Sequence, residues 1–281
     1  MSVAIVLPAR LKSTRLPNKL LLSATGKTLL EHTIGRAKVA QALYPRLFTT
    51  IRVACDDEQL VAAAKRAGVD AVMTSPDHQS GTDRIAEAAK DLKEEIIVNL
   101  QADEPEVDPE FLHSVSWPLT QSDDKIPGIS SVSITTLATF IFDEATFKNP
   151  NVVKVTLANN RRALYFSRSP IPYPRDGERA DFIRFKDEKG VEQRVFGFHH
   201  IGIYGYRRDF LAKFVALRPS VNEQIERLEQ LRALDNGYAI QVSLMESHVP
   251  GIDTPADYEA FVARLKNPAR KTKIQEPGAK S

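Results

Sequence analysis

Val3-Ala4-Ile5-Val6-Leu7-Pro8-Ala9-Arg10-Leu11-Lys12-Ser13-Thr14-Arg15-Leu16-Pro17-Asn18-Lys19 decides how this chain is read. Its first five residues are an unbroken apolar run rich in Val, Ile and Leu, which suits a strand buried on both faces. The residues that follow are mostly polar and include four cations, Arg10, Lys12, Arg15 and Lys19. A doubly buried strand that empties into a cationic loop is how a parallel α/β sheet begins. In such sheets ligands collect beyond the carboxyl ends of the strands.

Outward from that stretch the pattern repeats. Helical periodicity over residues 28–40 leads to a strand at 51–55, a helix at 58–67, a short strand at 71–73 and a helix at 83–92. A second largely apolar strand follows, Ile96-Ile97-Val98-Asn99-Leu100. This β–α–β alternation predicts a largely parallel sheet covered by helices on both faces. The loops after Leu7, Cys55, Met73 and Leu100 are therefore the expected site. The second half reads differently, with strand-like runs at 129–137, 152–157, 163–167 and 198–206 separated by loops. Residues 170–194, rich in proline and charge, read as an excursion from the core. Helices are expected at 208–217 and 223–234, a strand at 239–244, and a last helix from Pro255. The expected architecture is a single three-layer α/β domain over residues 1–266 with a β-rich insertion around 130–205. Residues 267–281 carry Arg270, Lys271, Lys273 and Lys280 without an apolar period, and are expected to be a disordered tail.

Composition narrows the function. The 281 residues are 42% hydrophobic and 26% charged, and 38 basic against 36 acidic residues leave a net charge of +2. No global basic field points to nucleic acid or to an anionic membrane surface, so the cations of the first loop are a local concentration. The lone Cys55 excludes an internal disulfide framework and cysteine-based zinc clusters. The apolar run at residues 3–7 is too short for the core of a secretory leader, and nowhere does the chain approach the ~18 apolar residues of a membrane span. A cytoplasmic protein without membrane insertion is expected.

Each candidate loop has its own chemistry. Flexible cations and backbone N–H groups beyond a strand end suit a polyphosphate. Gln101-Ala102-Asp103-Glu104-Pro105 places an acidic pair after the second apolar strand. Such a pair can hold a hard divalent cation, or it can be the acidic start of a helix leading to Pro109. In Gly251-Ile252-Asp253-Thr254-Pro255, spacing alone favours Asp253 as the cap of the last helix, a role compatible with metal ligation. Thr74-Ser75-Pro76-Asp77-His78-Gln79-Ser80-Gly81-Thr82-Asp83-Arg84 is dense in small hydrogen-bonding groups that can read a nucleobase edge, with Ser80 or Thr82 as helix cap. Thr25-Gly26-Lys27-Thr28 ends like a phosphate-binding P-loop but lacks its first glycine, and no G-x-G, H-E-x-x-H or G-x-S-x-G motif occurs. His199-His200 lies in a strand, so the two rings point to opposite faces.

Several of these runs together resemble one family. They are Pro8-Ala9-Arg10-x-x-Ser13-Thr14-Arg15-Leu16-Pro17-x-Lys19, the run 75–84, Asp103-Glu104-Pro105, Asn149-Pro150-Asn151-Val152-Val153-Lys154-Val155 and Ala163-Leu164-Tyr165-Phe166-Ser167-Arg168-Ser169-Pro170-Ile171-Pro172. His200-Ile201-Gly202-Ile203-Tyr204, Leu228-Glu229-Gln230-Leu231-Arg232 and Asp253-Thr254-Pro255 complete the set. In this order they resemble 3-deoxy-D-manno-octulosonate (Kdo) cytidylyltransferase, the CMP-Kdo synthetase family. The resemblance implies a nucleotide-diphospho-sugar transferase-like fold, a homodimer built on the β-rich insertion, CTP and Kdo as substrates, and Mg²⁺ as cofactor. It implies that Arg10, Arg15 and Lys19 hold the triphosphate and that Asp103 and Asp253 hold the metal. Ala9, Ser80, Gly81, Thr82, Arg84 and Gln101 fall in its cytidine-side motifs. Arg168, His200, Glu229 and Gln230 fall in its sugar-acid motifs. The alternatives are a cytidylyltransferase for another acidic sugar, such as 8-amino-Kdo or a sialic acid, and a silent nucleotide-binding paralogue. Ala102 and Asn18-Lys19-Leu20 stand where the family usually has Gly and Gly-Lys-Pro.

Overall fold

Strand β1 (Val3–Ala9) lies inside a nine-stranded sheet. It pairs in parallel with β2 (Phe48–Cys55), which in turn pairs in parallel with β3 (Asp70–Met73). On its other side β1 pairs in parallel with β4 (Ile96–Asn99). Val3 to Leu7 are all fully buried, as a strand covered on both faces requires. Val3, Ile5 and Leu7 pack into one core cluster, Ala4 and Val6 into the other. Each buried Val, Ile or Leu contributes roughly 1.5–3 kcal/mol, so this strand anchors both layers. The structure, a computed structural model, describes residues 1–121, 132–176, 184–186, 190, 192–247 and 251–266.

The connecting helices start where small polar residues cap them. Thr28 and Glu31 form a capping box on α1 (Leu29–Leu43), and Asp57 caps α2 (Glu58–Arg66). Ser80 caps α3 (Gly81–Ala88), and Asp108 caps α4 (Pro109–Thr120), whose proline suits the first turn. Thus the acidic turn after β4 does lead into a helix. Buried residues of α1, α2 and α4 belong to one core cluster and those of α3 to the other, which makes the three layers.

Beyond β4 the sheet continues through an antiparallel strand. β5 (Ile134–Ile141) is followed by α5 (Glu144–Lys148), β6 (Lys154–Leu157), β7 (Ala163–Ser167), the hairpin β8 (Arg184–Lys186) and β9 (Glu192–Arg194), and β10 (Gly197–Arg207). β10 sits between β4 and β5, antiparallel to both, and also pairs with β6, which pairs with β7. α6 (Arg208–Ala216), α7 (Val221–Glu226), α8 (Leu231–Asp235) and β11 (Ile240–Met245) follow, and α9 (Pro255–Lys266) closes the described chain. β11 pairs in parallel with β5, giving the path β11–β5–β10–β4–β1–β2–β3.

Three expectations change. The strand expected at 129–137 is β5, and it runs on to Ile141. Its threonines stay in the buried strand because their hydroxyls find backbone acceptors: Thr135 donates to Val115 O (2.6 Å) and Thr136 to Ile203 O (2.9 Å). Both ends of the expected 130–205 insertion, β5 and β10, are therefore strands of the central sheet, and only the chain between them departs from its main path. The helix expected at 223–234 is two helices, because Arg227 takes the left-handed conformation (φ 54°) and ends α7. The tail expected over 267–281 lies outside the described residues.

Candidate active site

The loops after β1 and β4, the turn before α3 and the segment before α9 enclose a cleft of about 400 Å³. Arg10, Arg15, Lys19, Ser80, Gly81, Arg84, Gln101, Asp103 and Asp253 all line it. Residues 10 to 253 meet there because parallel strands all present their carboxyl ends to the same edge.

At one end the charges are interlocked. Lys19 Nζ donates to Asp103 Oδ2, to Asp253 Oδ1 (3.0 Å) and to the Ile252 carbonyl (3.0 Å). Arg15 Nη2 lies 3.0 Å from the other oxygen of Asp253. Burial alone lowers the Lys19 ammonium, but the Asp103 and Asp253 charges outweigh it and the net shift is upward. Lys19 is placed by Asn18, which adopts a left-handed φ of 53°. The glycine usual at that position takes this conformation freely, and asparagine is among the few other residues that tolerate it. Ala102 is not among the positive-φ residues, so the missing glycine there carries no backbone strain.

Only one member of the acidic pair faces the cleft. The Glu104 side chain turns inward, where burial and the neighbouring Asp103 charge push its carboxyl up to about 8. Asp253, read by spacing as a helix cap, does not cap α9. Thr254 Oγ1 accepts from Asp257 N (3.2 Å), and Asp257 accepts in return from the backbone N–H of Asp253 (3.1 Å) and Thr254 (2.8 Å). That exchange leaves the Asp253 carboxylate to the cleft.

The opposite wall is the start of α3. Ser80 accepts from Asp83 N (3.1 Å), and Gln101 Nε2 donates to Asn99 Oδ1 (3.1 Å). Arg84 is almost fully buried, and burial lowers its guanidinium below the ordinary value despite the nearby Asp56. Its Nη1 donates to Thr74 Oγ1 (2.6 Å), and its Nη2 lies 3.5 Å from Asp56 Oδ2. The other Asp56 oxygen accepts from Leu11 N (2.9 Å) in the cationic loop. Asp56 was not singled out from sequence. It belongs to the acidic run Asp56-Asp57-Glu58 after β2, in which nothing distinguishes it from Asp57, the cap of α2.

Ala9, Thr82, Arg168, His200, Glu229 and Gln230 do not line the cleft. The Ala9 side chain is in the core. Thr82 turns behind the first turn of α3 and donates to Glu229 Oε2. Burial raises the Glu229 carboxyl, against hydrogen bonds from Thr82 and Ser80 and the Arg232 charge. Its Oε1 and the Nε2 of Gln230 are enclosed without a hydrogen-bond partner among the described residues. His200 is buried, with Nε2 3.0 Å from Thr136 Oγ1 and its ring edge-on to Phe166. The Arg168 fork, expected to be open to a carboxylate, is engaged: Nε donates to Glu226 O (2.8 Å) and Nη1 to Pro150 O (3.1 Å). Of these, Thr82 and Glu229 are joined directly, outside the cleft.

Comparison with known proteins agrees with this geometry. The cytidylyltransferase family profile matches residues 4–243. A 3-deoxy-manno-octulosonate cytidylyltransferase of Geotalea daltonii is 40% identical over 267 residues, covering 95% of this chain and 99% of its own. The enzyme of that name from Rhodopirellula baltica is 42% identical over 270 residues, covering 95% and 100%. A solved CMP:2-keto-3-deoxy-manno-octonic acid synthetase complexed with CTP superposes with a TM-score of 0.80 at 35% identity, covering 95% of this chain and 100% of that one.

Proposed function

The chain belongs to the 3-deoxy-manno-octulosonate cytidylyltransferases, a family of nucleotidyltransferases, and from that premise we propose how its residues perform the reaction. CTP and Kdo give CMP-Kdo and diphosphate. The observation that carries the reading is the convergence of Arg15, Lys19, Asp103 and Asp253 in one cleft whose far wall is the capped start of α3.

Arg10, Arg15 and Lys19 hold the triphosphate, and the Ser80 hydroxyl and the backbone over Ser80, Gly81 and Thr82, with Arg84, Gln101 and the backbone at Ala9, hold the cytidine. Cytosine presents an exocyclic amine where uracil presents a carbonyl, so acceptors around residues 80–82 favour CTP over UTP. A mismatched pair of this kind costs about 1–3 kcal/mol.

The family generally uses a divalent metal, and we assign Mg²⁺ to Asp103 and Asp253. Their carboxylates fit it: both reach one cation, the Lys19 ammonium, and a hard ion takes few protein oxygens while phosphate and water complete its shell. When bound, Mg²⁺ supplies charge neutralisation at the α-phosphate and acidifies the sugar hydroxyl. The anomeric 2-hydroxyl oxygen of Kdo attacks the α-phosphorus. The bond from that phosphorus to the bridging oxygen breaks, its electron pair leaves with diphosphate, and the hydroxyl proton passes to solvent. Arg10, Arg15 and Lys19 neutralise the leaving group, so the protein contributes alignment and charge rather than a covalent partner.

The sugar acid is assigned to Glu229, Gln230, His200 and Arg168. Glu229 Oε1, 3.7 Å from the Arg232 guanidinium but without a hydrogen bond, and Gln230 Nε2, also without one among the described residues, suit a ligand with several hydroxyls. Arg168 reaches the sugar carboxylate through Nη2 while its Nε and Nη1 brace the loop. The assembly is read as a homodimer built on the chain between β5 and β10, where Leu164 and Tyr173 are exposed. Among the described residues no helix is long and apolar enough to cross a membrane. We assign the enzyme to the cytoplasm because its substrate CTP is made there.

The test is diphosphate release from CTP with Kdo, 8-amino-Kdo and a sialic acid in parallel, and with UTP in place of CTP. Kdo with CTP is expected to give the highest kcat/KM. Release with another acid but not with Kdo would move the sugar assignment, and no release with any of them would leave a nucleotide-binding paralogue.

A further inference from the structure

Asp56 joins the two walls of the cleft. One oxygen accepts from Leu11 N (2.9 Å), between Arg10 and Lys12 in the phosphate-side loop. The other lies 3.5 Å from the guanidinium of Arg84, on the base-side helix. Arg84 is only 2% exposed, and a cation buried to that degree needs an anionic partner. Asp56, itself largely enclosed, supplies that charge. Among the described residues a second hydrogen bond joins the walls, and it is weaker: Arg10 Nη2 donates to the His78 carbonyl (3.1 Å) from an exposed side chain. On the base side, Arg84 also holds Thr74, whose hydroxyl donates to Cys55 O (2.9 Å), so Asp56, Arg84, Thr74 and the end of β2 form a closed ring.

We propose that Asp56 is a positioning residue that sets the spacing between the phosphate-side loop and α3, so that the two ends of one nucleotide bind as a single ligand. The proposal rests on the reading that this cleft takes CTP. Two half-sites at matched spacing make the second contact intramolecular, and that gain disappears when the spacing is wrong even if each half-site is intact. A residue that only stabilised the fold would weaken both halves together.

The experiment titrates wild type, Asp56→Asn and Asp56→Glu with CTP, CMP and inorganic diphosphate in the presence of Mg²⁺, with thermal melting to confirm folding. Asn keeps an acceptor for Leu11 but removes the counter-charge of Arg84. Glu keeps the counter-charge and shifts the carboxylate by one methylene, so it remains informative if the Asn variant does not fold. CTP affinity is expected to fall by about 30-fold or more in Asp56→Asn, and by a smaller but selective factor in Asp56→Glu. CMP and diphosphate are each expected to stay within about threefold, and KM for CTP to rise with little change in kcat. A parallel loss for all three ligands, or unchanged CTP affinity in a folded variant, would overturn the proposal. Wild type that fails to bind CTP would instead overturn the function on which the proposal rests.

Discussion

In the parallel half of the sheet, β4–β1–β2–β3, the loops that follow successive strands meet at one edge, and their charges are paired with one another. Lys19 answers Asp103 and Asp253, Arg15 answers Asp253, and Arg84 answers Asp56. In the antiparallel half, β10 with β5, β6 and β7, polar groups are buried inside the layer. There His200 meets Thr136, Lys154 donates to the Asn149 and Val152 carbonyls (2.9 and 2.6 Å), and Glu229 and Gln230 beside it each keep one enclosed atom without a hydrogen bond among the described residues. In the first arrangement the exposed Arg15 and half-exposed Asp253 leave the Lys19 cluster open to a charged ligand, while Arg84 and Asp56 stay enclosed. The second holds desolvated groups whose missing hydrogen bonds cost stability until a hydroxyl-bearing ligand supplies them.

The largest effect tests the exchangeable side. Asp103→Asn and Asp253→Asn remove charge while keeping shape, and each is expected to lower turnover by at least about 10³-fold, roughly 4 kcal/mol in activation free energy. Circular dichroism should stay that of wild type. Metal-dependent diphosphate release is the measurement, and near-normal rates in both folded variants would remove the metal from these carboxylates.

Acid should act first on the buried side. Burial, reinforced by the Lys154 charge, lowers His199 from 6.5 to about 4. The unfolded chain then binds this proton at higher pH than the native one does. His199 therefore contributes full stability above about pH 6.5 and loses it as the pH falls toward 4. The loss amounts to about 3 kcal/mol across that window. His199→Gln should flatten the fall, read as the difference in denaturation midpoint between pH 7 and pH 4.5. An identical fall in variant and wild type would place the acid sensitivity elsewhere.

Gln230→Leu separates a ligand-binding role from a packing role. The enclosed Nε2 has no partner among the described residues, so replacing the amide by an apolar side chain of similar size should stabilise the protein by about 1 kcal/mol. If that amide binds the sugar, KM for Kdo rises about tenfold with KM for CTP nearly unchanged. Increased stability with both KM values intact would take Gln230 out of the site.

The smallest effect concerns the break between α7 and α8. Arg227 is exposed and left-handed, a conformation that costs a side-chain-bearing residue roughly 1–2 kcal/mol and glycine almost nothing. Arg227→Gly should raise unfolding stability by about 1 kcal/mol in denaturant titration, without altering KM for either substrate. A destabilised variant would mean that the Arg227 side chain holds the Glu229–Gln230 turn in place.

The sequence by itself determined the parallel half. Val3 to Leu7 are apolar without interruption, and Ile96 to Leu100 are apolar except for Asn99, because both faces are covered, and that pattern survives in a single chain read alone. The cluster of strand-end loops follows from it, since parallel topology forces successive loops to one edge, whereas the choice of Ser80 over Thr82 as the cap of α3 was made by the fold. Only the tertiary structure decided that Glu104 turns inward while Asp103 faces the cleft, because neighbouring carboxylates look alike until one is buried. It also decided that Thr254 rather than Asp253 caps α9, a choice between adjacent residues that spacing cannot separate. The course of β5 past Leu137 depended on its partners β10 and β11, which pair with it as far as Ile141 and Thr139. Asp56 was hidden for the same reason. Its role depends on Leu11 and Arg84, far apart in the chain, and only folding brings both within reach of one carboxylate.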